Sequence, residues 1–161
     1  MRRKDREIID INEKIKIIDK NKVCRLALSE NNQPYIVPLN YGYSFENNIL
    51  TLFFHSAIEG KKLQIIKKNN SACFEIDCDS GLIEGDEACK YSYAFKSVIG
   101  AGKIAVLETK DEKINGLNEL MKHQTGRNET FKFDEKAVEH VTVYKLIVDE
   151  FTGKEKKYPE K

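Results

Sequence analysis

No apolar run in this chain of 161 residues approaches the roughly 20 residues that a membrane-spanning helix needs. The opening Met-Arg-Arg-Lys-Asp-Arg-Glu is followed by no apolar segment of the kind a secretory signal requires, which predicts a cytoplasmic protein without a membrane partner. Excess charge of one sign is missing too. The 27 basic and 26 acidic residues leave a formal net charge of +1 and are interspersed, so no nucleic-acid partner is expected. Cys24, Cys73, Cys78 and Cys89 include no close C-x-x-C pair, and Cys24 and Cys73 sit in apolar runs; free thiols are expected rather than a zinc site or disulfides. There is no G-x-G-x-x-G after a strand, no Walker loop, no G-x-S-x-G elbow and no H-E-x-x-H, which removes support for several large enzyme classes. His55, His123 and His140 are scattered, and no metal site is expected from their spacing. Internal repeats and low-complexity segments are absent.

What is present is the composition of an ordinary soluble domain, 40% apolar and 33% charged, in a length that suits one core. A single domain over residues 1–161 is expected, with charged, mobile ends at about 1–8 and 155–161. Asp10-Ile11-Asn12-Glu13 reads as a capping box opening a helix whose apolar stripe is Ile11, Ile15 and Ile18. Val23–Leu28 reads as a strand ended by the turn-rich Glu30-Asn31-Asn32-Gln33-Pro34. After a short helix through Leu63, Ile65 and Ile66, Ser71–Cys78 alternates as a strand does, and Asp79–Lys90 reads as a surface excursion. Tyr91–Thr109 is the longest extended candidate, with Gly100 and Gly102 where a barrel strand would bend or bulge. An amphipathic helix over Asp111–His123, one helical turn at Asp134–Val138 and a final strand from Val141 to Val148 complete the chain. His123 and His140 read as structural, His123 as a cation at a helix end. About six antiparallel strands with flanking helices follow, a mainly β (α+β) fold that closes a small barrel or forms another antiparallel α+β domain.

The chemistry concentrates between Tyr35 and Lys62. A β-rich run, Y-I-V-P-L-N-Y-G-Y, reverses at Glu46-Asn47-Asn48, returns as a second β-rich run and breaks into His-Ser-Ala-x-x-Gly-Lys-Lys at a helix start. The first helical turn offers unpaired backbone N–H groups, Ser56 a hydroxyl donor, Gly60 close approach, and Lys61 and Lys62 positive charge. A phosphate suits that set. An ordinary strand-to-helix connection with Ser56 as N-cap and two solvated lysines suits the same spacing. Pro38 cannot donate to a ladder, which places it at an edge, a bulge or a strand end and leaves neighbouring N–H groups and the Asn40 amide for a polar ligand, or simply protects an edge.

Taken in order, M-R-R-K-D-R-E, C-R-L-A-L, P-Y-I-V-P-L-N-Y-G-Y, F-H-S-A-x-E-G-K-K-L, S-V-I-G-x-G and a closing T-G-K resemble the FMN-binding split-barrel proteins related to pyridoxamine 5′-phosphate oxidase, and within them the nitroimidazole-resistance group. The likeness spans nearly the whole chain. It implies an antiparallel split barrel and an FMN held non-covalently at the interface of a homodimer. The cofactor-binding residues it implies are Val37, Pro38, Leu39, Asn40 and Tyr41, then Phe54, His55, Ser56, Ala57, Gly60, Lys61 and Lys62, and Ser97, Val98 and Ile99 from the central strand. His55 is the implied catalytic residue, holding FMN or facing the substrate. The implied activity is oxidoreduction with a small-molecule acceptor such as a nitro compound. A flavin-binding or sensing module without turnover, and a haem-binding split barrel, are the competing implications. The chain departs from pyridoxamine 5′-phosphate oxidase in being shorter and in lacking that enzyme's basic C-terminal segment, which argues against pyridoxamine phosphate as substrate.

Overall fold

The computed structural model describes residues 3–159. In chain order the elements are β1 (Glu7–Ile8), α1 (Ile11–Lys20), β2 (Val23–Glu30), β3 (Gln33–Asn40), β4 (Gly42–Glu46), β5 (Ile49–Ala57), α2 (Lys61–Lys68), β6 (Ser71–Ile83), β7 (Ser92–Val106), α3 (Lys110–Thr125), α4 (Glu135–Glu139) and β8 (Val141–Lys156), with 3-10 turns at Lys4–Arg6 and Ala88–Lys90. All strand pairs are antiparallel, and the path across the sheet is β3-β2-β6-β7-β8-β5-β4, with β1 added beside β8. The two ends of that path, β3 and β4, are separated in the chain by Tyr41 alone. A sheet whose first and last strands are joined by one residue has to curl on itself, and the result is a split barrel around one core.

The turns that set this register are local. Asn31 and Asn32, with φ of 51° and 61°, join β2 to β3, and Asn47 and Asn48, at 51° and 64°, join β4 to β5. Two successive left-handed residues make the tight hairpin turn whose twist matches the flanking strands, and asparagine tolerates that conformation. Pairing of Glu30 with Gln33 and of Glu46 with Ile49 closes both hairpins directly on those turns.

The described residues form eight strands rather than six. Glu7–Ile8 adds one, and the run from Tyr35 to Tyr43 is cut at Tyr41 into β3, which pairs with β2, and β4, which pairs with β5. Pro38 lies on the edge strand β3, opposite Arg25, where its missing N–H costs no ladder bond on the open side. Two other strands outrun the expected bounds. β6 continues through Asp79 to Ile83 past a shift in register between Cys78 and Gly81, and β8 continues to Lys156, with a bulge against β7 between Ala101 and Gly102. Within the ends expected to be mobile, residues 4–8 and 155–156 lie in regular elements; residues 1, 2, 160 and 161 lie outside the described residues.

Inside the barrel, Leu26, Leu50, Leu52, Phe54, Phe74, Ile76, Val98, Tyr144 and Leu146 are fully enclosed, and Ile17 and Ile18 of α1 close one side. α1 begins at Asp10, whose carboxylate accepts from Asn12 N at 2.9 Å; Glu13 pairs with Lys16 instead of reaching back, so only half of the expected capping box forms. A complete box sits where none was expected, at Thr109 and Glu112, opening α3. α3 packs on β4 and β5 and, with Val138 and Val143, encloses a second small core of Leu107 and Leu117. No helix among the described residues is long and apolar enough to cross a membrane.

Candidate functional site

The start of α2 is the chemically distinctive junction. β5 carries His55 on its outer face and Phe54 and Ser56 on its inner face, because successive strand residues alternate. Gly60 is the N-cap, at φ 147° and ψ 161°, and no side chain caps the turn. The N–H groups of Leu63 and Gln64 both bond to Gly60 O, at 3.0 and 3.2 Å, so the donors in front of them, on Lys61 and Lys62, point out of the helix end. By contrast α1, α3 and α4 are capped by the side chains of Asp10, Thr109 and Asp134. An uncapped helix start flanked by lysines attracts an anion through its N–H groups, the helix dipole and the side-chain charge together.

The two lysines have different neighbours. The Lys61 ammonium lies 4.9 Å from the centre of the Tyr35 ring, which brings the helix start to β3, two residues from Val37. Half-buried Lys62 lies near His55, and partial burial together with that positive charge holds the imidazole below its usual range. His55 is therefore kept neutral, able both to donate and to accept a hydrogen bond.

Other expected contacts fall differently. Ser56 is buried, and its hydroxyl donates to Ala57 O at 3.0 Å, so it turns inward rather than to the helix end. Tyr41, Phe54 and Val98 are fully buried, which confines any contact they make with a surface ligand to their backbone groups. Phe54 stacks on Tyr144 at 5.5 Å, and Tyr41 donates to Ile18 O at 2.5 Å. Val37 and Leu39 pack on the core, whereas Pro38 and Asn40 face outward; the Asn40 amide reaches Gln124 Oε1 at 3.3 Å. Ala57 is exposed at the end of β5.

Ser97 and Ile99 share the outer face of the sheet with Pro38 and Asn40 but are not adjacent to them. The register runs from Pro38 to Arg25, Glu75, Ile99 and Thr152 across β3, β2, β6, β7 and β8, and Asp77 lies opposite Ser97. Three strand spacings, about 14 Å, therefore separate the two segments within one chain. Between them stands an ion cluster that sequence reasoning missed: Arg25 Nη1 donates to Glu75 Oε2 at 3.0 Å and to Asp77 Oδ1 at 2.5 Å. Burial, then Asp77, push the Glu75 carboxyl up despite Arg25. Only the polar alternation of β2 and β6 hinted at these residues, and nothing in it announced that the two strands pair. Ile36 and Ile99, 65% and 49% exposed, are apolar side chains on the same face.

None of the described cavities is lined by the expected contact residues; Arg127, with Lys22, Tyr43 and His123, lines one of about 440 Å³ behind α3. Among the described residues there is no group of three His, Cys, Asp or Glu side chains that could hold a metal. All four thiols are free; Cys24 is buried, Cys73 and Cys78 are half-buried and Cys89 is exposed.

Comparison with known proteins gives a consistent picture. Residues 10–155 match the family model described as pyridoxamine 5′-phosphate oxidase. No curated protein matches the chain. A provisionally named 5-nitroimidazole antibiotic resistance protein of Bacteroides thetaiotaomicron is 32% identical and superimposes with a TM-score of 0.78, over 92% of this chain and 85% of that one. An FAD-binding protein of Mesorhizobium loti, 24% identical, gives a TM-score of 0.64 over 92% of this chain and 96% of that one. A flavocytochrome of Azotobacter vinelandii, 16% identical, gives 0.79 over 95% and 70%. At those lower identities the likeness is one of fold.

Proposed function

Because the chain belongs to the pyridoxamine 5′-phosphate oxidase family, we propose that it is an FMN-binding oxidoreductase, active as a homodimer, that reduces small planar acceptors such as nitro compounds. The observation that carries this is the uncapped start of α2, with Lys61 and Lys62 beside it and a neutral His55 next to Lys62. Two outward N–H groups and two ammonium groups match the charge and the acceptor number of a phosphate monoester.

When bound, the flavin would supply the redox chemistry, taking electrons from a cellular donor and passing them to the acceptor. The protein's part is binding and orientation. Lys61, Lys62 and the first N–H groups of α2 hold the phosphate. Pro38, Asn40, Ser97 and Ile99 offer the outer face to a planar ring, and neutral His55 holds or passes a proton at its ring nitrogen. The two outer-face segments are too far apart to grip one ring within a chain. A two-fold partner, which repeats the same patch, would cover Ile36 and Ile99 and bring the segments of two chains to one groove.

The test is a titration of FMN and of riboflavin into apoprotein and into a Lys61→Gln, Lys62→Gln variant. Losing a charge-assisted contact weakens binding by about tenfold to a hundredfold, less where solvent reaches, and riboflavin has no phosphate to lose. Equal losses for both ligands would overturn the phosphate assignment. Reduced protein is then mixed with a nitroimidazole without oxygen. Reoxidation that depends on the acceptor supports turnover, and its absence favours a module that only binds flavin.

A further inference from the structure

A second basic site lies where the two ends of the chain run side by side. Glu7 pairs with Lys154 and Ile8 with Gly153, so the residues before β1 meet the end of β8, and between them opens a cavity of about 460 Å³ lined by Arg3, Asp5, Arg6, Glu155, Lys156 and Lys157. Four cations face two carboxylates there. Both carboxylates are already engaged. Asp5 accepts from Arg3 at 2.8 and 2.6 Å, and Glu155 lies 3.4 Å from Lys157 and 3.9 Å from Lys96.

Two cations remain. Arg6, whose side chain is only 25% exposed, has its nearest carboxylate oxygen among the described residues, on Asp5, at 4.0 Å. Half-buried Lys156 meets the Ser92 hydroxyl and, among the described residues, no carboxylate. Cations drawn partly out of water without a close counter-ion lose hydration that these contacts return only in part, and an anion entering the cavity restores the rest. Geometry gives a clue to which anion. Lys156 lies opposite Phe95 and Lys154 opposite Ser97, so the cavity begins two residues, about 7 Å, along β7 from the outer face assigned above to a planar ring. Exposed Tyr93 and Leu82, paired across β6 and β7, extend that face with an apolar ledge.

We propose that Arg6 and Lys156 bind the diphosphate of a nucleotide whose planar group lies along Phe95 to Ile99. The identity of the ligand rests on the flavin function proposed above; the anion site itself does not. With the single phosphate of FMN at the start of α2, the nucleotide that fits this second site is a nicotinamide dinucleotide acting as electron donor.

The full chain, an Arg6→Gln, Lys156→Gln variant, a Lys156→Gln variant in case the first fails to fold, and a Lys132→Gln, Lys136→Gln charge control are titrated with inorganic pyrophosphate at low ionic strength. Binding by the wild type and the control, weakened about tenfold or more by removal of the Arg6 and Lys156 charges, is the expected result. One further arm identifies the ligand. A raised KM for the nicotinamide nucleotide with FMN affinity unchanged supports the donor. Pyrophosphate binding that is absent in the wild type, or equally tight in the variants, overturns the site; weakened pyrophosphate binding with the KM for the nicotinamide nucleotide unchanged overturns the nucleotide assignment. A protein that binds no flavin would sink the flavin proposal while the pyrophosphate titration still decides this one.

Discussion

Nδ1 of His123 lies 2.8 Å from the carbonyl oxygen of Tyr41, so the last turn of α3 is tied to the single residue that joins the two edge strands of the barrel. Its other ring nitrogen lies 3.1 Å from Asp19 O at the end of α1, and the ring packs at 4.6 Å from Tyr41 and 5.1 Å from Tyr43. His123→Ala removes both polar contacts from a buried position together with the packing, and a loss of about 2 to 3 kcal/mol in a urea melt is expected. A loss below about 0.5 kcal/mol, the range of ordinary surface substitutions, would show that Gln124, which also donates to Tyr41 O at 2.8 Å, carries the tie alone.

Two buried tyrosines are expected to respond with opposite sign when the hydroxyl is removed. Tyr41 donates to Ile18 O, so Tyr41→Phe costs about 1 kcal/mol. The Tyr144 hydroxyl is buried and has no protein hydrogen-bond partner among the described residues, so Tyr144→Phe is neutral or stabilising by up to about 1 kcal/mol. Thermal melts of the two variants side by side check the pair; a marked loss in Tyr144→Phe would reveal a hydrogen bond to that hydroxyl.

Lys62→Gln is expected to raise the pKa of His55. Burial and Lys62 both hold it down, burial more strongly, so removing Lys62 moves it only part of the way back. With the folded value below the usual histidine value of about 6.5, the unfolded chain binds the proton first. His55 thus contributes stability that is present above that pH and is lost as pH falls through the folded value; the substitution narrows the window. The proton resonances of the His55 ring, followed through a pH titration of both proteins, read this directly, and an unmoved titration would separate Lys62 from His55.

Gly60 and Gly42 are intolerant of alanine for different reasons. Around Gly60 there is open space, but φ of 147° is a conformation other residues rarely adopt, so Gly60→Ala costs about 1 to 3 kcal/mol through the backbone and disturbs the start of α2. Gly42 packs directly on the backbone of Leu120, so an added methyl group has to push α3 from β4, with a typical cost of about 1 to 3 kcal/mol. FMN affinity discriminates them. Gly60→Ala weakens FMN more than riboflavin, whereas Gly42→Ala lowers stability and leaves the ratio of the two affinities unchanged.

Local chemistry was legible from residues alone. The Asn-Asn turns, the start of α1 at Asp10, the helical turn near Asp134 and the break after Ala57 each depend on groups within a few positions of one another, and each is present. The order of motifs along the chain further pointed to the family, whose model matches residues 10–155. Pairing partners were a different matter. That β2 lies beside β6, so that Arg25 reaches Glu75 and Asp77, follows from register between strands some 50 positions apart, which no local periodicity encodes. The direction of each side chain was decided at the same level. Ser56 and Val98 lie in segments that sequence reasoning assigned to a ligand, yet alternation turns their side chains into the barrel, while His55, Ser97 and Ile99 beside them face outward. The sequence by itself determined the turns, the helix starts and the family. Only the closed sheet decided which neighbours share a face, because that depends on which strand lies alongside and on the one-residue parity of its register.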